Sequence, residues 1–141
     1  MEKDFDAWLS KKGQLHALEH RPPHVSERDV WWASVGANVG SEIDGKSSLF
    51  SRPVIIFRKL AHGFYFVIPT TTKQKEGSWY VPFMHNEKAV VACLHQARAI
   101  DYRRLSNKIG QIDTADYMHI CAGFEKLYVK RISPPKGGDR G

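Results

Sequence analysis

Between Gly40 and Pro53 the chain reads GSEIDGKSSLFSRP, placing one carboxylate, Glu42, and one guanidinium, Arg52, around glycines, serines and Lys46. Glycine lets a backbone approach a ligand closely, and loops held on a rigid scaffold carry much of a protein's binding chemistry. A carboxylate that accepts a proton beside a guanidinium that donates two parallel hydrogen bonds suits an anionic substrate whose reaction needs a base. The same composition also suits a solvated hairpin loop with incidental charges. Three short groups follow downstream. Ile68-Pro69-Thr70-Thr71-Thr72 sets hydroxyls at the end of an apolar run, Gln96-Ala97-Arg98-Ala99-Ile100-Asp101 follows another such run, and Lys108-Ile109-Gly110 comes last.

Metal chemistry is not expected. The seven histidines are scattered, and His16 and His20 have helical spacing but nothing around them resembles HExxH. Cys93 and Cys121 are too far apart for a CxxC site and lie in apolar segments, where a buried free thiol is the common state. No disulfide and no cofactor are expected.

At 141 residues the chain is long enough for a single core, with 42% hydrophobic and 26% charged residues, the balance of a folding globular domain. Its 21 lysines and arginines against 15 acidic residues give a net charge of +6, which favours a polyanionic partner. RNA, DNA, an acidic protein and a membrane surface all fit that balance. No apolar run approaches the ~20 residues of a membrane span, and the first residues, MEKDFDAWLS, lack a basic segment followed by an apolar core. The expected location is cytoplasmic, without a membrane partner.

The elements that must position these groups follow from periodicity. Residues 4–19 predict a helix capped by Asp4, with Phe5, Trp8, Leu9, Leu15 and Leu18 on one side. Arg21-Pro22-Pro23 then forces an extended linker. From residue 28 the pattern turns to short β-rich runs: 30–35, 53–60, 64–70, 78–83 and 89–94, with Ala61-His62-Gly63 as a hairpin turn. Tyr102-Arg103-Arg104-Leu105 predicts a short helical turn, 108–112 a last strand, and 114–129 a helix capped by Asp113 that packs on the sheet. Connections this short exclude a parallel sheet and imply a small antiparallel barrel or half-barrel. The expected organisation is a helix and proline linker over 1–24, a barrel domain over 25–132 and a mobile tail over 133–141.

Taken in order, Gly40-Ser41-Glu42, Arg52-Pro53-Val54, Pro69-Thr70-Thr71, Gln96-x-Arg98-x-Ile100-Asp101 and Arg104-Leu105 resemble the MazF/PemK family, the toxins of type II toxin-antitoxin systems. The resemblance spans roughly residues 28–128 and extends to the tryptophan pair Trp31-Trp32. It implies a mostly β, α+β fold: an SH3-like antiparallel barrel with a C-terminal helix, here with an added N-terminal helix. It also implies a homodimer, a cognate antitoxin protein, and metal-independent endoribonuclease activity on single-stranded RNA, with no cofactor. The implied reaction is attack by a ribose 2′-hydroxyl on the adjacent phosphodiester, leaving a 2′,3′-cyclic phosphate and a 5′-hydroxyl.

Carried over by position, Arg52 stabilises the charge on phosphorus, Glu42 accepts the 2′-hydroxyl proton while paired with Arg52, and Thr71 bonds a phosphate oxygen. Ser41, Lys46, Thr70, Gln96 and Arg98 are the corresponding RNA-binding candidates, and His95 is a second candidate base or a stacking residue. Structural roles also fit: Arg52 starting a strand, Glu42 pairing with Lys46, and the threonines as ordinary strand residues. Two departures stand out. Compact relatives have Gly-x-Arg-Pro, whereas Lys46-Ser47-Ser48-Leu49-Phe50-Ser51 separates Gly45 from Arg52. Where some relatives carry an acid before the Gln-x-Arg glutamine, this chain has His95. The rival class is a non-catalytic SH3-like interaction protein, either gyrase-poison-like or an inactive toxin relative.

Overall fold

The computed structural model of the chain describes residues 3–18, 22–46 and 50–129. The tail expected over 133–141 lies outside the described residues. Seven strands form one antiparallel sheet: β1 (Asp29–Ser34), β2 (Ser51–Ala61), β3 (Phe64–Thr71), β4 (Tyr80–His85), β5 (Lys88–Cys93), β6 (Arg98–Asp101) and β7 (Leu105–Gln111). The order is β4-β5-β3-β2-β1-β7, with β6 on β3. The path runs from β4 to β7 without closing, so the half-barrel form of the expectation holds. Strand β6 was not foreseen, because Arg98-Ala-Ile-Asp101 is too short to show a period of two. The run expected at 78–83 pairs at 80–85, and the strand expected at 108–112 begins at Leu105.

Strand β3 sets the layout of the site. Its first half pairs with β6 through Phe64↔Asp101 to Val67↔Arg98, while its last residues pair with β5 through Thr70↔Ala92 and Thr71↔Val91. The sheet therefore forks at the two threonines. On its other side β3 pairs with β2, which pairs in turn with β1 through Ala33↔Arg52.

The sheet is covered on both faces, as the alternation along β2 shows. Val54 and Ile56 join a cluster with Trp31, Tyr65 and Ile100, whereas Ile55 and Phe57 join one with Ile68, Leu94, Ile112 and Ile120. Helix α2 (Thr114–Tyr128) closes the second cluster through Ile120, with Tyr117, Cys121, Phe124 and Leu127 packed beside it. The tyrosine hydroxyls of Tyr117 and Tyr128 donate to the carbonyls of Phe57 and Leu94, both at 2.8 Å. Asp113 occupies the N-cap position as expected but its side chain makes no capping bond.

Helix α1 (Phe5–His16) is shorter than its expected span, and the carboxylate of Asp4 caps it by accepting from the Ala7 amide at 3.0 Å. The apolar stripe expected on it is not buried as a stripe. Only Trp8 is buried, at 5% exposure, while Phe5, Leu9 and Leu18 remain exposed. The helix meets the barrel through one inserted ring rather than along a face. Trp8 lies against Gly36 and stacks at a tilt on Phe50, 5.5 Å between ring centroids. Gly36 has φ +89°, and a Cβ there would collide with the indole, so both the backbone and the packing require glycine.

Candidate functional site

The loop between β1 and β2 returns to the sheet through a bridge between Lys46 and Ser51, whose backbone bonds are 2.8 and 3.2 Å. Arg52 follows immediately. It is 9% exposed, whereas an incidental charge on a solvated hairpin loop would stand open to water. Its Nε donates to the carbonyl of Asp44 at 2.9 Å and its Nη1 to that of Thr70 at 3.2 Å. A guanidinium has five N–H donors, so three are uncommitted among the described residues. Burial lowers the Arg52 pKa, opposed by the Cys93 thiol and the Asp44 carboxylate. An arginine nonetheless keeps its charge.

Arg52 and Thr71 both line two adjoining cavities, of about 640 and 610 Å³. The first is walled by Val30, Trp32, Pro53, Phe83, Val90 and Ile109 and takes in Thr70. The second is basic and aromatic, with Lys46, Lys73, Lys75, Trp79, Tyr80 and His95, and Ser41 and Gln96 on its rim. Thr70 and Thr71 are buried at the fork of the sheet. The Thr70 hydroxyl donates to the Pro53 carbonyl at 2.9 Å, and the Thr71 hydroxyl accepts from the Lys73 amide at 3.2 Å.

The remaining candidates divide. Gln96 clasps the loop from across the molecule: its Oε1 accepts from the Ile43 amide and its Nε2 donates to the Ser41 carbonyl, both at 3.0 Å. Arg98 lies on β6 and lines neither cavity. Glu42 also lines neither. Its carboxylate accepts from the Val39 amide at 2.8 Å, and among the described residues no ion pair joins it to Arg52 or Lys46. The expected Glu42–Arg52 pair is thus replaced by a turn closed within the loop, and backbone carbonyls take its place in orienting the guanidinium.

His95 stacks on Trp79 with centroids 4.9 Å apart and planes at 26°, and meets Tyr80 edge-on at 5.2 Å. Burial, helped by the charge of Lys75 and offset by the Trp79 backbone, lowers its pKa, so the ring is mainly neutral at pH 7. Burial raises the Cys93 thiol, which keeps it protonated despite the nearby Arg52 and Lys75. Asp29, the one buried acid among the described residues, is already committed to Ser26, Trp31, Gln111 and Lys108.

Sequence reasoning missed two contributors. Asp44 holds Arg52 through its carbonyl and Lys3 through its carboxylate at 3.1 Å, while that carboxylate also accepts from the Asn38 amide at 2.6 Å. The available signal was an acid inside a glycine-rich loop. Trp79 falls in the run expected as a strand over 78–83 but lies just ahead of β4; its signal is an aromatic pair, Trp79-Tyr80, following Lys73 and Lys75.

The fold is an open half-barrel in which a buried arginine with uncommitted donors lines two adjoining cavities, an arrangement able to receive an anion. The chain belongs to the PemK-like, MazF-like toxins of type II toxin-antitoxin systems, whose family model matches residues 26–128. The fold is similar to that of MazF from Deinococcus radiodurans, with TM-score 0.63, 17% identity, and coverage of 74% of this chain and 97% of that one. It is also similar to toxin MazF-mt6 of Mycobacterium tuberculosis, at TM-score 0.56, 16% identity, and 72% and 96% coverage. A third likeness is to a mycobacterial endoribonuclease solved in complex with its cognate antitoxin, at TM-score 0.59, 12% identity, and 77% and 100% coverage. A comparison with curated proteins finds no match. Among the described residues, no helix is long and apolar enough to cross a membrane, and no group of three or more His, Cys, Asp or Glu is placed to hold a metal.

Proposed function

We propose that this chain is the toxin of a toxin-antitoxin pair and a metal-independent endoribonuclease that cuts single-stranded RNA at specific sequences by attack of the 2′-hydroxyl. The observation that carries the reading is Arg52: two of its donors are fixed to backbone carbonyls, and the guanidinium and Thr71 stand where two cavities meet. Donors held before the reaction begins stabilise a pentacoordinate phosphate without reorganising during it. The RNA supplies its own nucleophile, so the protein must provide charge, position and proton transfer. Thr71 bonds a phosphate oxygen and Lys46 holds the flanking backbone, while Thr70, its hydroxyl spent on the Pro53 carbonyl, supports binding by fixing β3 to β2 beside Arg52. Ser41, Gln96 and Arg98 support binding, the first two through the loop they fix.

For the base, the two candidates differ in position. His95 shares the second cavity with Arg52 and Thr71 and is largely neutral, as an acceptor must be; Glu42 lines neither cavity. His95 is therefore the preferred proton acceptor, with Glu42 as the loop-shaping alternative. A cytoplasmic homodimer regulated by an antitoxin protein completes the reading, supported by the family and by a relative solved with its antitoxin.

The deciding experiment is to incubate purified protein with RNA and determine the ends. The expected products carry a 2′,3′-cyclic phosphate and a 5′-hydroxyl and form equally well in EDTA. Intact RNA, or cleavage restored only by a divalent ion, overturns the reading. Light scattering should give about twice the 16.1 kDa of the chain.

A further inference from the structure

The second cavity has a composition that phosphate binding alone does not require. Its lining contains no acidic side chain among the described residues, three lysines besides Arg52, and two aromatic rings beside His95. Trp79 is 51% exposed, an unusual position for so large an apolar surface. The ring is nevertheless well supported. His95 backs one of its faces, Tyr80 braces His95 edge-on, and the Trp79 carbonyl accepts from the Leu94 amide at 2.8 Å. Lys75 lies over the Tyr80 ring, 5.8 Å from its centroid. An exposed surface tryptophan with no role has no need of such bracing.

A positive groove that tracks a backbone, joined to an aromatic face on which a base can lie, is the general design for gripping unpaired nucleic acid. We propose that Trp79 is a stacking platform: the base of a nucleotide flanking the phosphate held by Arg52 lies on the indole, with Lys73 and Lys75 beside its backbone. This rests on the reading of Arg52 as the phosphate-binding residue. Only a base already out of a duplex presents its face in this way, so the platform selects single-stranded over paired RNA. Because His95 and Tyr80 fix the ring before binding, little ordering is required when the base arrives.

The test measures binding without cleavage, using a labelled RNA octamer with 2′-O-methyl riboses, which lack the attacking hydroxyl, and an abasic octamer of equal length. Trp79→Ala should weaken binding of the base-bearing octamer about tenfold, the scale of losing one stacked base, and leave the abasic octamer unchanged. Trp79→Phe should bind both within about threefold of the parent. Lys75→Ala should weaken both octamers and lower the salt slope by about one. Unchanged affinity of Trp79→Ala, an equal loss on both octamers, or a parent that binds neither overturns the proposal. Cleavage by the parent is scored separately. A parent that shows the Trp79 effect but cuts no RNA refutes the nuclease and leaves the platform standing; a parent that cuts RNA while Trp79→Ala binds normally refutes the platform alone.

Discussion

The two sides of the site are held by different means. On the strand side, Arg52, Thr70 and Thr71 sit in β2 and β3, where the sheet pairing ends at Val54↔Pro69, Thr70↔Ala92 and Thr71↔Val91 and the side chains are buried. On the loop side, residues 38–46 lie outside every strand and depend on side chains borrowed from elsewhere, Gln96 from beyond β5 and Lys3 ahead of α1, while Trp8 packs on Gly36 and Phe50 at the two ends of the loop. A ladder fixes position cooperatively, whereas each loop tie is one or two hydrogen bonds worth about 1 kcal/mol apiece. In the proposed function the strand side holds charge in one place, and the loop side adjusts to RNA or to an antitoxin.

The largest test of this contrast is Arg52→Lys, which keeps the charge but not the planar donor set. We expect a loss of about 10²- to 10³-fold in single-turnover cleavage, the scale of removing a preorganised donor. Arg52→Ala should lose as much activity and also about 1–3 kcal/mol of stability, because it takes the guanidinium from the buried Thr70 carbonyl and the part-buried Asp44 carbonyl. Melting curves and rates together separate the two effects. Near-parent cleavage by Arg52→Lys would make the arginine a structural strut.

On the loop side, Gln96→Ala and Trp8→Ala should each raise KM by roughly tenfold with a smaller change in kcat, since positioning is lost and the chemical groups remain. Hydrogen exchange should quicken at residues 38–46 and stay slow in β2 and β3. Equal quickening in both regions would mean that strand and loop sides are held alike.

Lys46→Ala removes a charge at the junction of the cavities and should weaken RNA binding, lowering its salt slope by about one while turnover at saturation persists. The smallest effect on stability concerns pH. His95 has a folded pKa below its unfolded value of about 6.5. Its neutral form therefore contributes stability that is present above pH about 6.5 and is lost as pH falls through the lower folded value. His95→Gln should flatten that part of the stability profile slightly and, as the loss of the proposed proton acceptor, lower the single-turnover rate by about 10²-fold and remove the acid limb of the rate profile. Glu42→Gln should change neither limb.

Much of the strand side was legible in the chain itself. Apolar runs such as Val54-Ile55-Ile56-Phe57 announce buried strands, the spacing of Tyr117, Ile120, Cys121 and Phe124 announces α2, and the order of short motifs around Arg52 and Thr71 points to the family. These signals are local, because side-chain alternation and helical periodicity are written in neighbouring residues. The burial of Arg52, the turn closed by Glu42, the clasp of Gln96 on residues 53 and 55 positions away, and the lone anchor Trp8 on an otherwise exposed helix were not legible. Nor were the bracing of Trp79 and the meeting of two cavities at one guanidinium. Each depends on residues brought together by the folding of the sheet, and a loop without periodicity carries no local mark of which distant side chain will hold it. The chain's local pattern determined the elements and the groups available for chemistry; the tertiary structure decided which donors stay free, which face of a ring is open, and hence which residues can touch a substrate.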